Sequence, residues 1–194
     1  MDALIASFCM VAVAEIGDKT QLLSFVLAAR FPGRPWHIIA GILVATLVNH
    51  FFAAAIGDWV ALQVGPEPMR WILGLAFLGF AAWALIPDSL SDADARPLRR
   101  GAFLTTLVLF FLAEMGDKTQ LATVALGARY DSLMRVTLGT TLGMMAANVP
   151  AVLVGERLAR RFPLQKMRFA AAAIFALFGT MILCGVDFGL AAFG

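Results

Sequence analysis

Six charged side chains stand inside two long apolar stretches of this chain. Ala14–Leu22 reads AEIGDKTQL and Ala113–Leu121 reads AEMGDKTQL, 99 positions later, with eight of nine residues identical. Each copy carries two acids and a base: Glu15, Asp18 and Lys19 in the first, Glu114, Asp117 and Lys118 in the second. A charged side chain at the centre of a bilayer costs about 2.5–3.5 kcal/mol on insertion scales, so such groups must face one another or a wet cavity. If the two copies meet, four carboxylates and two ammonium groups leave a net charge of −2. Four clustered carboxylates stay ionised in a low dielectric only when cations compensate them; otherwise some take protons. One divalent cation or two protons solve the same electrostatic problem, which is the chemistry of an exchanger. The other donors within reach are oxygens: the Thr20 and Thr119 hydroxyls, the Gln21 and Gln120 amides, and backbone carbonyls. With no cysteine in either copy, that set suits Ca²⁺, Mg²⁺ and Mn²⁺ better than Cu(I) or Zn²⁺.

On a continuous helix, Glu15, Asp18 and Lys19 would lie along one face. Gly17 and Gly116 either allow a close helix–helix approach or open the helix and free its carbonyls for a ligand. Lys19 and Lys118 either tune the site or form structural ion pairs with their neighbouring aspartates. Asn49 and His50 lie midway along another apolar run, and Asn148 aligns with His50 in the second half. His50 and Asn148 are candidates for further ligands or a proton relay, or are hydrogen-bonded core groups. Asp58 and Glu156 fall near segment ends, where acids can collect cations.

The elements that hold these groups follow from composition. Of the 194 residues 61% are hydrophobic and 14% charged, with a mean hydropathy of +0.85. Soluble domains run about 45–50% apolar and about 25% charged, so this is a membrane chain without room for a soluble catalytic or nucleotide-binding domain. A net charge of +2 gives no footing for nucleic acid. The early apolar run lacks a basic leader and a cleavage site and reads as a span rather than a signal peptide. Six spans are expected at about 3–29, 37–64, 69–87, 101–128, 133–155 and 167–193, all helical because backbone groups in lipid must be satisfied internally. Cys9 and Cys184 are expected to be buried small hydrophobes rather than a redox pair. Loops holding Arg30, Arg34, Arg96, Arg99, Arg100, Arg157, Arg160, Arg161, Lys166 and Arg168 outweigh those holding Arg70, Arg129 and Arg135, ten against three. The positive-inside rule then puts both termini outside the cytoplasm. Trp36, Trp59 and Trp71 mark span ends, and the run 156–168 is placed against lipid headgroups.

Similarity between the halves continues beyond the motif: Gly41 corresponds to Gly139, and Arg70 to Arg168, at an offset of 98. Residues 1–90 and 101–194 are therefore read as two three-helix repeats, joined by a cytoplasmic linker at 91–100. Three spans per half force opposite insertion, so the expected fold is an all-α polytopic membrane protein with an inverted repeat and a midplane site. Duplication of a non-transporting scaffold is the plain alternative.

The two hexads Glu15–Thr20 and Glu114–Thr119 resemble the signature of the Gdt-type family of calcium/manganese–proton antiporters: Glu, an apolar residue, Gly, Asp, Lys or Arg, then Ser or Thr, once per half. The resemblance extends over the whole length, and the small size is similar to bacterial manganese exporters of that family, which implies a bacterial inner membrane. It implies that Glu15, Asp18, Glu114 and Asp117 bind the ion, and that Mn²⁺, with Ca²⁺ second, leaves in exchange for protons, with no resident cofactor. Three alternatives stay open on the residues alone. A small polar-solute or amino-acid exporter has similar size. A metal-dependent intramembrane enzyme is disfavoured by two near-identical sites, since chemistry needs unlike partners. A passive channel is disfavoured because an acidic cage holds a divalent ion too tightly to conduct.

Overall fold

The computed structural model describes residues 2–87, 101–154 and 164–186. Among these residues every regular element is a helix: α1 (Ala3–Glu15), α2 (Lys19–Arg30), α3 (Pro35–Gln63), α4 (Pro66–Ala84), α5 (Ala102–Glu114), α6 (Lys118–Arg129), α7 (Leu133–Val154) and α8 (Leu164–Leu183). Their starts follow local chemistry. Asp2 accepts the Leu4 N–H at 3.1 Å to cap α1, and Pro35 and Pro66 open α3 and α4 where a missing N–H costs nothing. Helices α3 and α7 are each long and apolar enough to cross a membrane, whereas α1, α5 and Arg168–Leu183 are shorter apolar helices.

The segments expected as continuous spans at 3–29 and 101–128 are each broken in two. Ile16 (φ −70°, ψ 115°) and Gly17 (φ 85°) form the centre of a tight turn closed by the Asp18 N–H donating to the Glu15 carbonyl at 3.1 Å. Met115 (φ −63°, ψ 120°), Gly116 (φ 75°) and the Asp117–Glu114 bond repeat it. This is the pattern of a type II turn, whose third residue needs a positive φ that glycine alone adopts freely. The break decides between the two roles open for the glycines: a Cβ on Gly116 would meet nothing within 4 Å, so close packing is not what fixes it. It also overturns the expectation that Glu15, Asp18 and Lys19 share one helical face.

Elements of one half pack chiefly on those of the other. Helix α1 lies against α7, α5 against α3, α3 against α7, and α4 against α8. The same glycine contact occurs twice. A Cβ on Gly41 would lie 2.8 Å from both the Phe103 carbonyl and the Thr106 Cβ, and one on Gly139 would lie 2.5 Å from the Leu4 carbonyl and 2.9 Å from the Ser7 Cβ. The outer surface is greasy: Trp36, Trp59, Leu62, Trp71, Leu75 and Leu112 are all more than half exposed. The interior holds the acids, threonines and asparagines. Cys9 and Cys184 are exposed, contrary to expectation. Hydrophobicity does not imply burial when the surroundings are themselves apolar.

The linker 91–100, with Arg96, Arg99 and Arg100, lies outside the described residues. So do Glu156, Arg157, Arg160 and Arg161, and the end of the sixth expected span.

Candidate functional site

The two turns set the reacting groups at helix ends. Glu15 ends α1 and Asp18 precedes α2; Glu114 ends α5 and Asp117 precedes α6. Helix C-termini bring partial negative charge and spare carbonyls to the glutamates, a setting that favours cations. The glutamines hold the breaks open. Gln21 Oε1 accepts the Gly17 N–H at 2.9 Å and Gln120 Oε1 accepts the Gly116 N–H at 2.7 Å. Gln21 Nε2 also donates to the Ala147 carbonyl at 3.0 Å. Both amide oxygens are thus engaged with backbone.

The copies interlock at their charged ends. Lys118 Nζ lies 2.5 Å from Asp18 Oδ1, and Lys19 Nζ lies 3.4 Å from Asp117 Oδ1. The ion pairs therefore cross between the halves instead of joining adjacent residues, which point in different directions from a helix end. Thr119 Oγ1 sits 3.2 Å from Glu15 Oε2 and 3.4 Å from Asp117 Oδ2, between acids of different copies.

The glutamates have other company. Among the described residues Glu15 meets only uncharged donors besides the acids around it: the Thr119 hydroxyl and Asn148 Nδ2 at 3.4 Å. Glu114 meets Asn49 Nδ2 at 3.2 Å and His50 Nε2 at 2.5 Å. Asn148 is steadied by Ser24, whose hydroxyl donates to Asn148 Oδ1 at 2.7 Å. Both glutamates and His50 are fully buried. Thr20 is buried as well, with its hydroxyl unpartnered among the described residues. Among those residues no three His, Cys, Asp or Glu side chains are gathered as a ready cation cage; the lysine ammonium groups take up the aspartates instead. Asn49 joins the site through Glu114 without having been expected there; its signal in the sequence is a polar residue beside His50 in an apolar run.

The two limbs differ. Helix α6 lies close along α3, where a Cβ on either Gly57 or Gly127 would collide with the backbone of the other helix. On α2, Ala28 stands where α6 has Gly127. Lys118 on α6 is 3% exposed in its side chain and Lys19 on α2 is 22% exposed. A 230 Å³ cavity opens beside the α2 limb, lined by Ala28, Phe31, Ile38 and Val152 among others. The cavity beside the α6 limb, lined by Asp58, Arg129 and Asp131, is 140 Å³.

The sequence model of the family described as divalent cation/proton antiporter GDT1 matches residues 3–92 and 102–187. The chain belongs to the GDT1 family. This GDT1 family member is 49% identical over 178 residues to a Vibrio cholerae protein named "Putative manganese exporter", covering 91% of the chain and 88% of that relative. It is 29% identical to GDT1-like protein 3 of Arabidopsis thaliana, spanning 82% of the chain but only 63% of that relative. GDT1-like protein 5 of the same plant is 27% identical over 91% of the chain and 93% of its own length. No solved structure matches significantly. GDT1 proteins are antiporters, so this member is an integral membrane transporter of divalent cations and protons and not an enzyme.

Proposed function

We propose that this protein exports Mn²⁺, with Ca²⁺ as second candidate, from the bacterial cytoplasm in exchange for protons. Two three-span repeats, 1–90 and 101–194, would insert in opposite directions around one central site, and lipids would seal the arginine-rich rim. The name of the Vibrio relative favours manganese. One observation carries the mechanism: after each aspartate is paired with the opposite lysine, the charge left over resides on Glu15 and Glu114, fully buried beside neutral donors and one imidazole. A buried carboxylate without a cationic partner is too costly to persist. Either one divalent cation or two protons restores balance, so the two occupants compete for the same pair of glutamates. The aspartate–lysine pairs are then the fixed part of the site, and the glutamates the part that trades cargo.

The inverted reading draws support from the doubled break, the doubled glycine contact and the crossed ion pairs. With both termini outside, the loop of Arg30 and Arg34 would face the cytoplasm, and with it the cavity lined by Ala28, Phe31 and Ile38.

The test is reconstitution into liposomes with a pH-sensitive dye inside, challenged in turn with Mn²⁺, Ca²⁺ and Mg²⁺. A Mn²⁺ gradient is expected to drive proton movement, and Glu15→Gln and Glu114→Gln are each expected to abolish it. Coupled flux surviving in either variant, or flux of an organic solute in place of metal, overturns the proposal. Metal flux that ignores an imposed proton gradient makes the protein a channel.

A further inference from the structure

The two halves are not chemically equal around their glutamates. At the offset of 98 that relates Gly41 to Gly139, Thr46, Asn49 and His50 on α3 correspond to Met144, Ala147 and Asn148 on α7. Thr46, Asn49 and His50 are spaced i, i+3, i+4 and so lie on one face of α3, and all three are buried. Glu114 therefore meets a hydroxyl-, amide- and imidazole-bearing face, whereas the matching face around Glu15 offers a thioether, a methyl group and one amide. The Asn148 amide is also fully engaged, with Ser24, Met144 and Glu15.

His50 is not so engaged. Its Nε2 lies 2.5 Å from Glu114 Oε1 without forming a directed hydrogen bond to it. Among the described residues both ring nitrogens, Glu114 Oε1 and the Thr46 hydroxyl are left without a hydrogen-bond partner, in an interior where the imidazole has no exposed surface. Orphaned polar atoms buried side by side cost free energy unless something else binds them. A nitrogen and a carboxylate oxygen at this separation need only a small opening to grip one cation between them.

We propose that His50 gives an imidazole nitrogen to the transported cation on the Glu114 side of the site, and that this nitrogen makes the exchanger prefer Mn²⁺ to Ca²⁺ and Mg²⁺. Calcium and magnesium are hard ions that take oxygen ligands, and magnesium sheds water reluctantly. A transition metal accepts imidazole as readily as carboxylate. Replacing one oxygen of the cage by nitrogen thus penalises the two ions that outnumber manganese without adding charge. The half built around Glu15 has no imidazole beside the acid and lacks that ligand.

The inference rests on the divalent-cation reading above, and the experiment separates the two. Full-length protein labelled with ¹⁵N-histidine, with His37→Gln as control, is loaded with Mn²⁺ and studied by electron spin-echo modulation. Wild-type protein is expected to show a histidine nitrogen coupled to the bound Mn²⁺, retained in His37→Gln and lost in His50→Asn. In liposomes the Mn²⁺ over Ca²⁺ preference of His50→Asn, which copies Asn148, is expected to fall on the order of tenfold or more. Bound Mn²⁺ without histidine coupling in the wild type, needing no mutation, overturns the inference and leaves the transport reading standing. An unchanged preference in His50→Asn also overturns it. Wild-type protein that neither binds Mn²⁺ nor couples it to protons removes both readings.

Discussion

Removing Lys118 should damage the protein far more than removing Lys19, though the two occupy equivalent places in the two hexads. The Lys118–Asp18 pair is 3% and 0% exposed in its side chains, the Lys19–Asp117 pair 22% and 4%. Taking one partner from a buried ion pair costs about 3–5 kcal/mol, because the remaining charge has lost its compensation in a low dielectric. In the Lys19–Asp117 pair the ammonium is partly exposed, so its removal costs less, although the buried Asp117 carboxylate is also left behind. For a chain of this size each kcal/mol moves the melting temperature by roughly 2–4 °C. Lys118→Met is therefore expected to melt about 6–20 °C below wild type, and Lys19→Met less far below it. Thermal unfolding of purified, metal-free protein in detergent, followed by tryptophan fluorescence, measures both. Adding Asp18→Asn to Lys118→Met should restore part of the loss, since the uncompensated carboxylate is then gone. Equal melting temperatures for the two lysine variants would refute the reasoning, because the inequality of the α2 and α6 limbs would then not exist in the protein itself.

Three further outcomes follow from the same geometry. Gly116→Val should lose more stability and transport than Gly116→Asn, because the site is sterically open and only the positive φ, worth about 1–2 kcal/mol for an ordinary side chain, is at stake; melting and flux measured together check this. Gly127→Ala should cost about 1–3 kcal/mol of stability by forcing a methyl group onto the Ala54 backbone, whereas Ala28→Gly at the matching place on α2 should cost about 1 kcal/mol, the ordinary helix penalty of glycine. Mn²⁺ at one hundred times its dissociation constant should add about 2.7 kcal/mol of stability to wild type, and a Glu15→Gln/Glu114→Gln double variant should show no such gain in a thermal-shift titration.

Much of this was legible in the residues. The duplicated hexads, the cost of six charges in apolar surroundings and the hard oxygen donors lead to a divalent cation/proton exchanger before any coordinate is known. Helical architecture follows from backbone satisfaction in lipid, and charge counting gives the −2 that one metal ion or two protons would cancel. Sequence could not choose between the two uses of Gly17 and Gly116, because glycine serves close packing and positive φ equally well. The turn geometry settles that choice, and with it goes the single charged helix face that continuous spans would have had. Nor could spacing say that Lys118 pairs with Asp18 and Lys19 with Asp117, since pairing across 99 positions depends on how the halves dock. The expected burial of Cys9 and Cys184 failed because in an apolar solvent hydrophobicity no longer sorts inside from outside. Local chemistry and charge are written in the order of residues; which buried acid keeps a lysine and which is left with an imidazole is a property of packing, and only the folded chain fixes it.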